Sequence, residues 1–380
     1  MNFAKTPDRR QYVPSSLLLQ WHVTERCNLR CNHCYQDSHS GEELEFGELG
    51  HVLEQFIGLL DFWRTESGRN VRGHITVTGG EPFVRGDFPK LLEVLSQHSD
   101  LFSFAILTNG SLIDPSTARR LRKLNPRFVQ VSIEGMRESH DRIRGYGQFD
   151  SAVRAIEMLV LERVRTFISF TAHRGNFREF SAVAELGQDL RVARVWADRL
   201  VPNGSGAGLA EQVLTPNETR EFFAIMHKAR IQAARSWFGR TEIAMHRALE
   251  FLLAGGSPYH CTAGDTLITV MPNGDVYPCR RMPVRLGNLL ETPLRKIYDE
   301  HAFLIGLRDR SRQPQGCETC CYVGMCRGGL KCLSYAMSKD PFRADPGCWL
   351  ARRNFHDHTG LEQLTGSAGQ ALAFNSHWIS

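Results

Sequence analysis

The run Glu25-Arg-Cys27-Asn-Leu-Arg-Cys31-Asn-His-Cys34-Tyr35 follows directly on an apolar stretch at residues 17–23. The apolar stretch reads as a buried strand. Its cysteines are spaced C-x3-C-x2-C at the strand's C-terminal end. Three thiolates can hold three irons of a [4Fe–4S] cluster and leave the fourth iron free to chelate a small molecule. The alternative is a structural zinc, which takes four closed ligands. An open iron at a strand end points to catalysis rather than to electron storage alone.

Working outward, strand-like runs recur at 74–78, 102–107, 128–133, 166–171 and 192–196. Amphipathic stretches lie between them at 48–63, 88–97, 116–124, 151–162 and 177–186. Counting 17–23, this makes six βα-like repeats and predicts a parallel sheet. Polar or glycine-rich residues follow the strands: Gly79-Gly80-Glu81-Pro82, Thr108-Asn109-Gly110 and Glu134-Gly135. In parallel β/α folds the active site is built on those strand ends. The run Asn203-Gly-Ser-Gly-Ala-Gly208 reads as a linker. Thr215-Pro216-Asn-Glu218 reads as a helix start with an N-cap, a proline at N1 and a capping-box acid. Residues 267–278 read as a hairpin around Asn273-Gly274. The expected domains are 15–210 (barrel), 211–255 (helical bridge), 256–350 (cysteine-rich domain) and 351–380 (tail).

The 380 residues carry a formal net charge of +5, with Lys and Arg spread along the chain. That balance gives no warrant for a nucleic-acid partner. No apolar stretch reaches transmembrane length, and the N-terminus shows no signal-peptide pattern. A cytoplasmic location is the default expectation. The eleven cysteines fall in two groups, three at 27–34 and eight at 261–348. An odd count without an export signal argues for metal sites over disulfides.

Together, Cys27-x3-Cys31-x2-Cys34-Tyr35, Gly79-Gly80-Glu81-Pro82, Val131-Ser132-Ile133-Glu134-Gly135 and His140-Asp-Arg-Ile-Arg144-Gly145 resemble the radical SAM superfamily. The later cysteines resemble its SPASM subfamily. The resemblance implies an α/β fold: a partial (β/α)6 TIM-like barrel followed by a small loop-rich, cysteine-rich iron–sulfur domain. It implies that Cys27, Cys31 and Cys34 hold a [4Fe–4S] cluster. The open iron would bind S-adenosylmethionine, and one electron would cleave it to a 5′-deoxyadenosyl radical. Gly79 and Gly80 would allow close backbone approach to the methionine end, with Glu81 in the same turn. Ser132 would meet the ribose. Tyr35 would cover the adenine or pack in the core. Glu134 stands where the family often has Asp. His33 is expected to pack beside the cluster, and His140 and Arg144 to fix a helix start.

The same resemblance implies two auxiliary [4Fe–4S] clusters, three in all. One would be held by Cys261, Cys279 and a third cysteine, for which Cys332 is the candidate, the other by Cys317, Cys320, Cys326 and Cys348. Here the pattern departs from the family, since Leu330 stands where a cysteine is usual. Cys321 is extra, as a further ligand or a buried thiol. Arg280, Arg281 and Arg285 follow Cys279; they could raise a cluster's potential, but the expectation is a solvated charged strand. The implied function is oxidative modification or cross-linking of a ribosomally made precursor peptide, with a flavodoxin- or ferredoxin-type electron donor. The other reading is a small-molecule enzyme, a tetrapyrrole side-chain decarboxylase or alcohol dehydrogenase. About twenty residues precede the first strand, so a leader would be met on the cysteine-rich domain or by a separate protein. No catalytic acid or base is legible.

Overall fold

The computed structural model describes residues 12–235 and 241–351. Almost all of the 351–380 tail lies outside the described residues. Seven strands run parallel in sequence order: β1 (Ser16–His22), β2 (Arg72–Thr78), β3 (Phe102–Thr108), β4 (Val129–Ser132), β5 (Thr166–Ala172), β6 (Arg194–Arg199) and β7 (Glu242–Ile243). The first six match the strand-like runs of the sequence to within a few residues. Helices α1 (Phe46–Ser67), α2 (Phe88–Ser96), α3 (Pro115–Leu124), α4 (Arg137–Arg144), α5 (Gln148–Leu161) and α6 (Phe180–Asp189) fill the crossovers. Their apolar faces bury Phe56, Trp63, Phe88, Ile156 and Phe180 against the sheet. Sealing that surface from water is what holds the barrel wall. Among the described residues, no helix is long and apolar enough to cross a membrane.

The expected hairpin forms as β8 (Leu267–Val270) and β9 (Asp275–Tyr277), with Gly274 at φ +86°. Glycine takes that left-handed conformation at little cost. The hairpin does not start a separate sheet. β8 pairs parallel with β1, and β10 (Gly287–Asn288) follows β9, so one ten-stranded sheet runs from β10 to β7. The barrel and the cysteine-rich region therefore share a backbone ladder across the expected boundary at 256.

Two sequence expectations change. Residues 211–255 are not wholly helical: α7 (Pro216–Arg235) is present, but β7 then adds to the sheet beside β6. The glycine run at 203–208 is not a linker. Residues Gly204–Gln212 form a 3₁₀ helix pressed onto the cysteine loop. Gly206 N–H donates to the Cys34 carbonyl at 2.8 Å and Ser205 N–H to that of Gln36 at 2.9 Å. A Cβ on Gly204, whose φ is +59°, would lie 2.4 Å from the Tyr35 carbonyl carbon. The glycines serve close approach here, which composition alone cannot tell from flexibility.

Candidate functional site

The cysteine loop leaves β1 and is zipped to the loop after β2. Gly80 N–H donates to the Thr24 carbonyl at 2.8 Å, and Glu81 N–H to that of Arg26 at 2.9 Å. A Cβ on Gly79 would sit 2.4 Å from the Thr24 carbonyl oxygen, and one on Gly80 2.3 Å from that of Arg26. Both glycines thus have a packing reason. Gly80→Ala is expected to force the two loops apart at a cost of about 1–3 kcal/mol and to strip iron from Cys27, Cys31 and Cys34. Gly86→Ala, with nothing within 4 Å of the added carbon, is the neutral control. Iron per chain after anaerobic reconstitution reads the difference.

Cys27, Cys31 and Cys34 line one cavity of about 220 Å³, together with Tyr35, Gly79, Gly80 and Ser132. The sequence-predicted residues of the first site are therefore brought together, with Glu81 just behind the wall. The fully buried Glu81 carboxylate accepts from Thr108 Oγ1 at 2.8 Å and Asn109 N–H at 2.7 Å. Burial outweighs those bonds and pushes its pKa up to about 7. Leu29 N–H approaches the Cys27 sulfur at 3.4 Å, while burial pushes that thiol up to about 11.

The end of β4 carries a network that the sequence only hinted at. Glu134, 1% exposed, accepts from Arg144 Nη2 at 2.5 Å, from Thr171 N–H at 2.7 Å, and faces His33 Nε2 at 3.1 Å. Arg144 Nη1 reaches the Cys31 sulfur at 3.8 Å. His140 does fix the turn: its Nδ1 accepts from Glu134 N–H at 3.2 Å, and burial lowers its pKa to about 4. Arg144 does more than start a helix. It joins the carboxylate to the cysteine loop.

Residues of β6 that the sequence reading passed over also line the cavity: Trp196, Asp198 and Arg199. Alternation along a strand was the available signal, since Arg194, Trp196 and Asp198 share a face. Asp198 holds Arg281 at 2.6 Å and Arg247 at 3.0 Å. Arg199 makes a two-pronged pair with Asp345, at 2.8 and 2.5 Å.

Four of the later cysteines share one cavity. Cys317, Cys320, Cys326 and Cys348 line one small cavity. Cys321 is exposed and lies off that cavity, so it is not a buried thiol. Cys279 and Cys332 are buried. Burial drives the Cys332 thiol well above its ordinary pKa, and the neighbouring thiols of Cys279 and Cys261 add to this. Among the described residues, no three Cys, His, Asp or Glu side chains close on a single metal ion. The thiols at 27–34 and at 317–348 instead face cavities, an arrangement that suits a cluster.

A family model for the radical SAM superfamily matches residues 21–186, and one for an iron–sulfur cluster-binding domain, SPASM, matches residues 261–321. Residues 21–186 are a radical SAM domain and residues 261–321 a SPASM domain. The chain is accordingly an S-adenosylmethionine-binding iron–sulfur enzyme with a SPASM domain. The sequence is 25% identical over 359 residues to the Fe-coproporphyrin III synthase of Methanosarcina barkeri, covering 87% of each chain. It is 29% identical over 357 residues to the mycofactocin maturase MftC of Mycobacterium ulcerans, covering 88% of each. The structure of native anSMEcpe with bound AdoMet and Cp18Cys peptide superposes with a TM-score of 0.69 at 21% identity, covering 88% of this chain and 94% of that one. That likeness shows that the two chains share a fold.

Proposed function

We propose that this radical SAM enzyme oxidatively modifies a ribosomally made precursor peptide, with a small flavodoxin- or ferredoxin-type protein as electron donor. One observation carries the choice of a peptide over a tetrapyrrole. The guanidinium groups that line the cavity are Arg144, Arg199 and Arg281, and each is matched by a carboxylate: Glu134, Asp345 and Asp198. A substrate bearing several carboxylates would have to compete with those pairs, and breaking a buried pair is costly. A largely neutral peptide side chain has no such conflict. The similarity to a mycofactocin maturase supports this reading, and the similarity to an Fe-coproporphyrin III synthase keeps the small-molecule reading as the alternative.

When bound, the cluster and S-adenosylmethionine together supply a 5′-deoxyadenosyl radical for hydrogen abstraction. The chain's own residues fix the place of that event. Cys27, Cys31 and Cys34 hold the cluster at the end of β1. Gly79 and Gly80 keep the next loop close. Ser132 and Tyr35 line the same cavity and would meet the ribose and the adenine, while Glu81, behind the wall, holds the turn through Thr108 and Asn109. Gln130 accepts from Trp196 Nε1 at 2.8 Å, and this pair floors the cavity. Below it a second cavity of about 610 Å³ opens toward the N-terminal ends of the strands, lined by Phe128, Phe167 and Arg194.

The test is co-expression, under anaerobic conditions, with each short open reading frame beside the gene, followed by mass spectrometry of each peptide. The expected result is loss of two hydrogens per modified site, absent with Cys27→Ala. Unchanged peptides, with 5′-deoxyadenosine still released by the purified enzyme, would overturn the peptide reading in favour of a small molecule.

A further inference from the structure

Three arginines follow Cys279, and the structure separates them. Arg285 is exposed and pairs with Asp275 at 2.8 Å, as a solvated strand residue would. Arg281 is taken up by Asp198. Arg280 is different. It is 5% exposed, its Nε has no hydrogen-bond partner, and among the described residues it forms no ion pair. Its guanidinium instead lies over the ring of Tyr35, 5.4 Å from the centroid. A buried cation without an anion is costly, and its retention implies a negative charge close by.

The surroundings identify where that charge would be. Tyr35 follows Cys34, and Arg280 follows Cys279, so the ring–guanidinium contact joins the neighbours of two ligand cysteines. On the other side, the ring meets His22 edge-on at 6.1 Å. His22 is fully buried with neither nitrogen hydrogen-bonded. Burial and the nearby Arg280 hold it neutral, so it offers no counter-charge. Glu25 feels the Arg280 charge but makes no ion pair with it. What remains is the net negative charge of thiolate-ligated iron–sulfur clusters on either side.

We propose that Arg280 is the shared counter-charge between the cluster site at Cys27, Cys31 and Cys34 and the one at Cys261, Cys279 and Cys332, a positioning residue that raises the reduction potential of the latter. The inference rests on the reading that Cys261, Cys279 and Cys332 hold an iron–sulfur cluster. A fixed positive charge favours the reduced, more negative state of a cluster, and low dielectric strengthens the effect. Tyr35 keeps the guanidinium centred between the two sites by a cation–π contact.

The experiment is an EPR-monitored redox titration, with iron counted per chain, on the reconstituted enzyme as wild type, Arg280→Gln, Arg280→Lys and Arg285→Gln. Each is also made with Cys27, Cys31 and Cys34 all changed to alanine, which leaves only auxiliary clusters in view. Arg280→Gln should lower the midpoint of one auxiliary couple by on the order of tenfold in its reduction equilibrium, about 59 mV for one electron. Arg280→Lys should recover most of that, and Arg285→Gln should leave both couples unchanged. Full iron with unshifted potentials in Arg280→Gln would overturn the proposal. So would equal loss of iron in the Gln and Lys variants, since that marks a purely structural role. A triple-cysteine variant carrying iron for only one cluster would instead overturn the ligand reading beneath it.

Discussion

Replacing Asp345 with alanine is expected to cost about 3–5 kcal/mol of stability and to release iron from the cavity lined by Cys317, Cys320, Cys326 and Cys348. Asp345 is 2% exposed and Arg199 4%. The two form a fork at 2.8 and 2.5 Å that ties the end of β6 to the loop before Cys348. The same carboxylate also accepts from Leu330 N–H at 2.9 Å and Gly347 N–H at 2.9 Å. Truncation would strand a buried guanidinium and two buried amides together, and each unsatisfied group carries its own desolvation cost. Gly347 has no room to adjust, since a Cβ there would lie 2.2 Å from Arg199 Nη1. The double variant Arg199→Met/Asp345→Leu removes the stranded cation, so it should recover part of the loss. It cannot recover all, because the two amides stay unpaired. Thermal unfolding and iron per chain check both. A single variant as stable as wild type, with full iron, would show that the pair is not what joins barrel and SPASM domain.

The barrel was legible in the sequence because its signals are local. Each apolar run long enough to be a buried strand is one, and each is followed by an amphipathic helix. The cysteine spacing and the Gly79-Gly80-Glu81-Pro82 turn then mark which end of the sheet is used. What could not be read were relations between distant segments. Asn203–Gly208 has the composition of a linker, yet its glycines serve to bring the chain onto Cys34 and Gln36. Arg280 and Arg281 look alike in sequence. Their consecutive positions send one toward Tyr35 and the other toward Asp198, a distinction only packing creates. The hairpin at 267–277 was expected, but nothing local to it shows that β8 joins β1. Asp345 carries no motif at all.

Glu134 shows how a residue noted for its motif gains its role from partners far along the chain. Glu134→Gln is expected to reduce 5′-deoxyadenosine release to near background and to cost about 3–5 kcal/mol of stability. Burial alone would raise the Glu134 carboxyl, but Arg144 and His33 outweigh it and hold the pKa far below the ordinary carboxylate range. A carboxylate with a depressed folded pKa contributes fully above its unfolded value, and the contribution is lost only as pH falls below that value. At neutral pH the charge is therefore fully in use, and glutamine removes it while keeping the shape. Arg144 is then left buried without its counter-ion, beside Cys31, and His33 loses its tether within the cysteine loop. Both changes loosen the segment that must hold three thiols in register. Arg144→Lys keeps a charge but cannot reach the carboxylate and the sulfur at once, so it should fall between. Arg142→Ala is the control: its pair with Glu138 is exposed, and such pairs contribute at most about 1 kcal/mol. If Glu134→Gln retains wild-type iron and wild-type 5′-deoxyadenosine release, the network is dispensable and the cysteine loop is positioned by its backbone bonds to Gly80, Glu81, Ile143, Ser205 and Gly206.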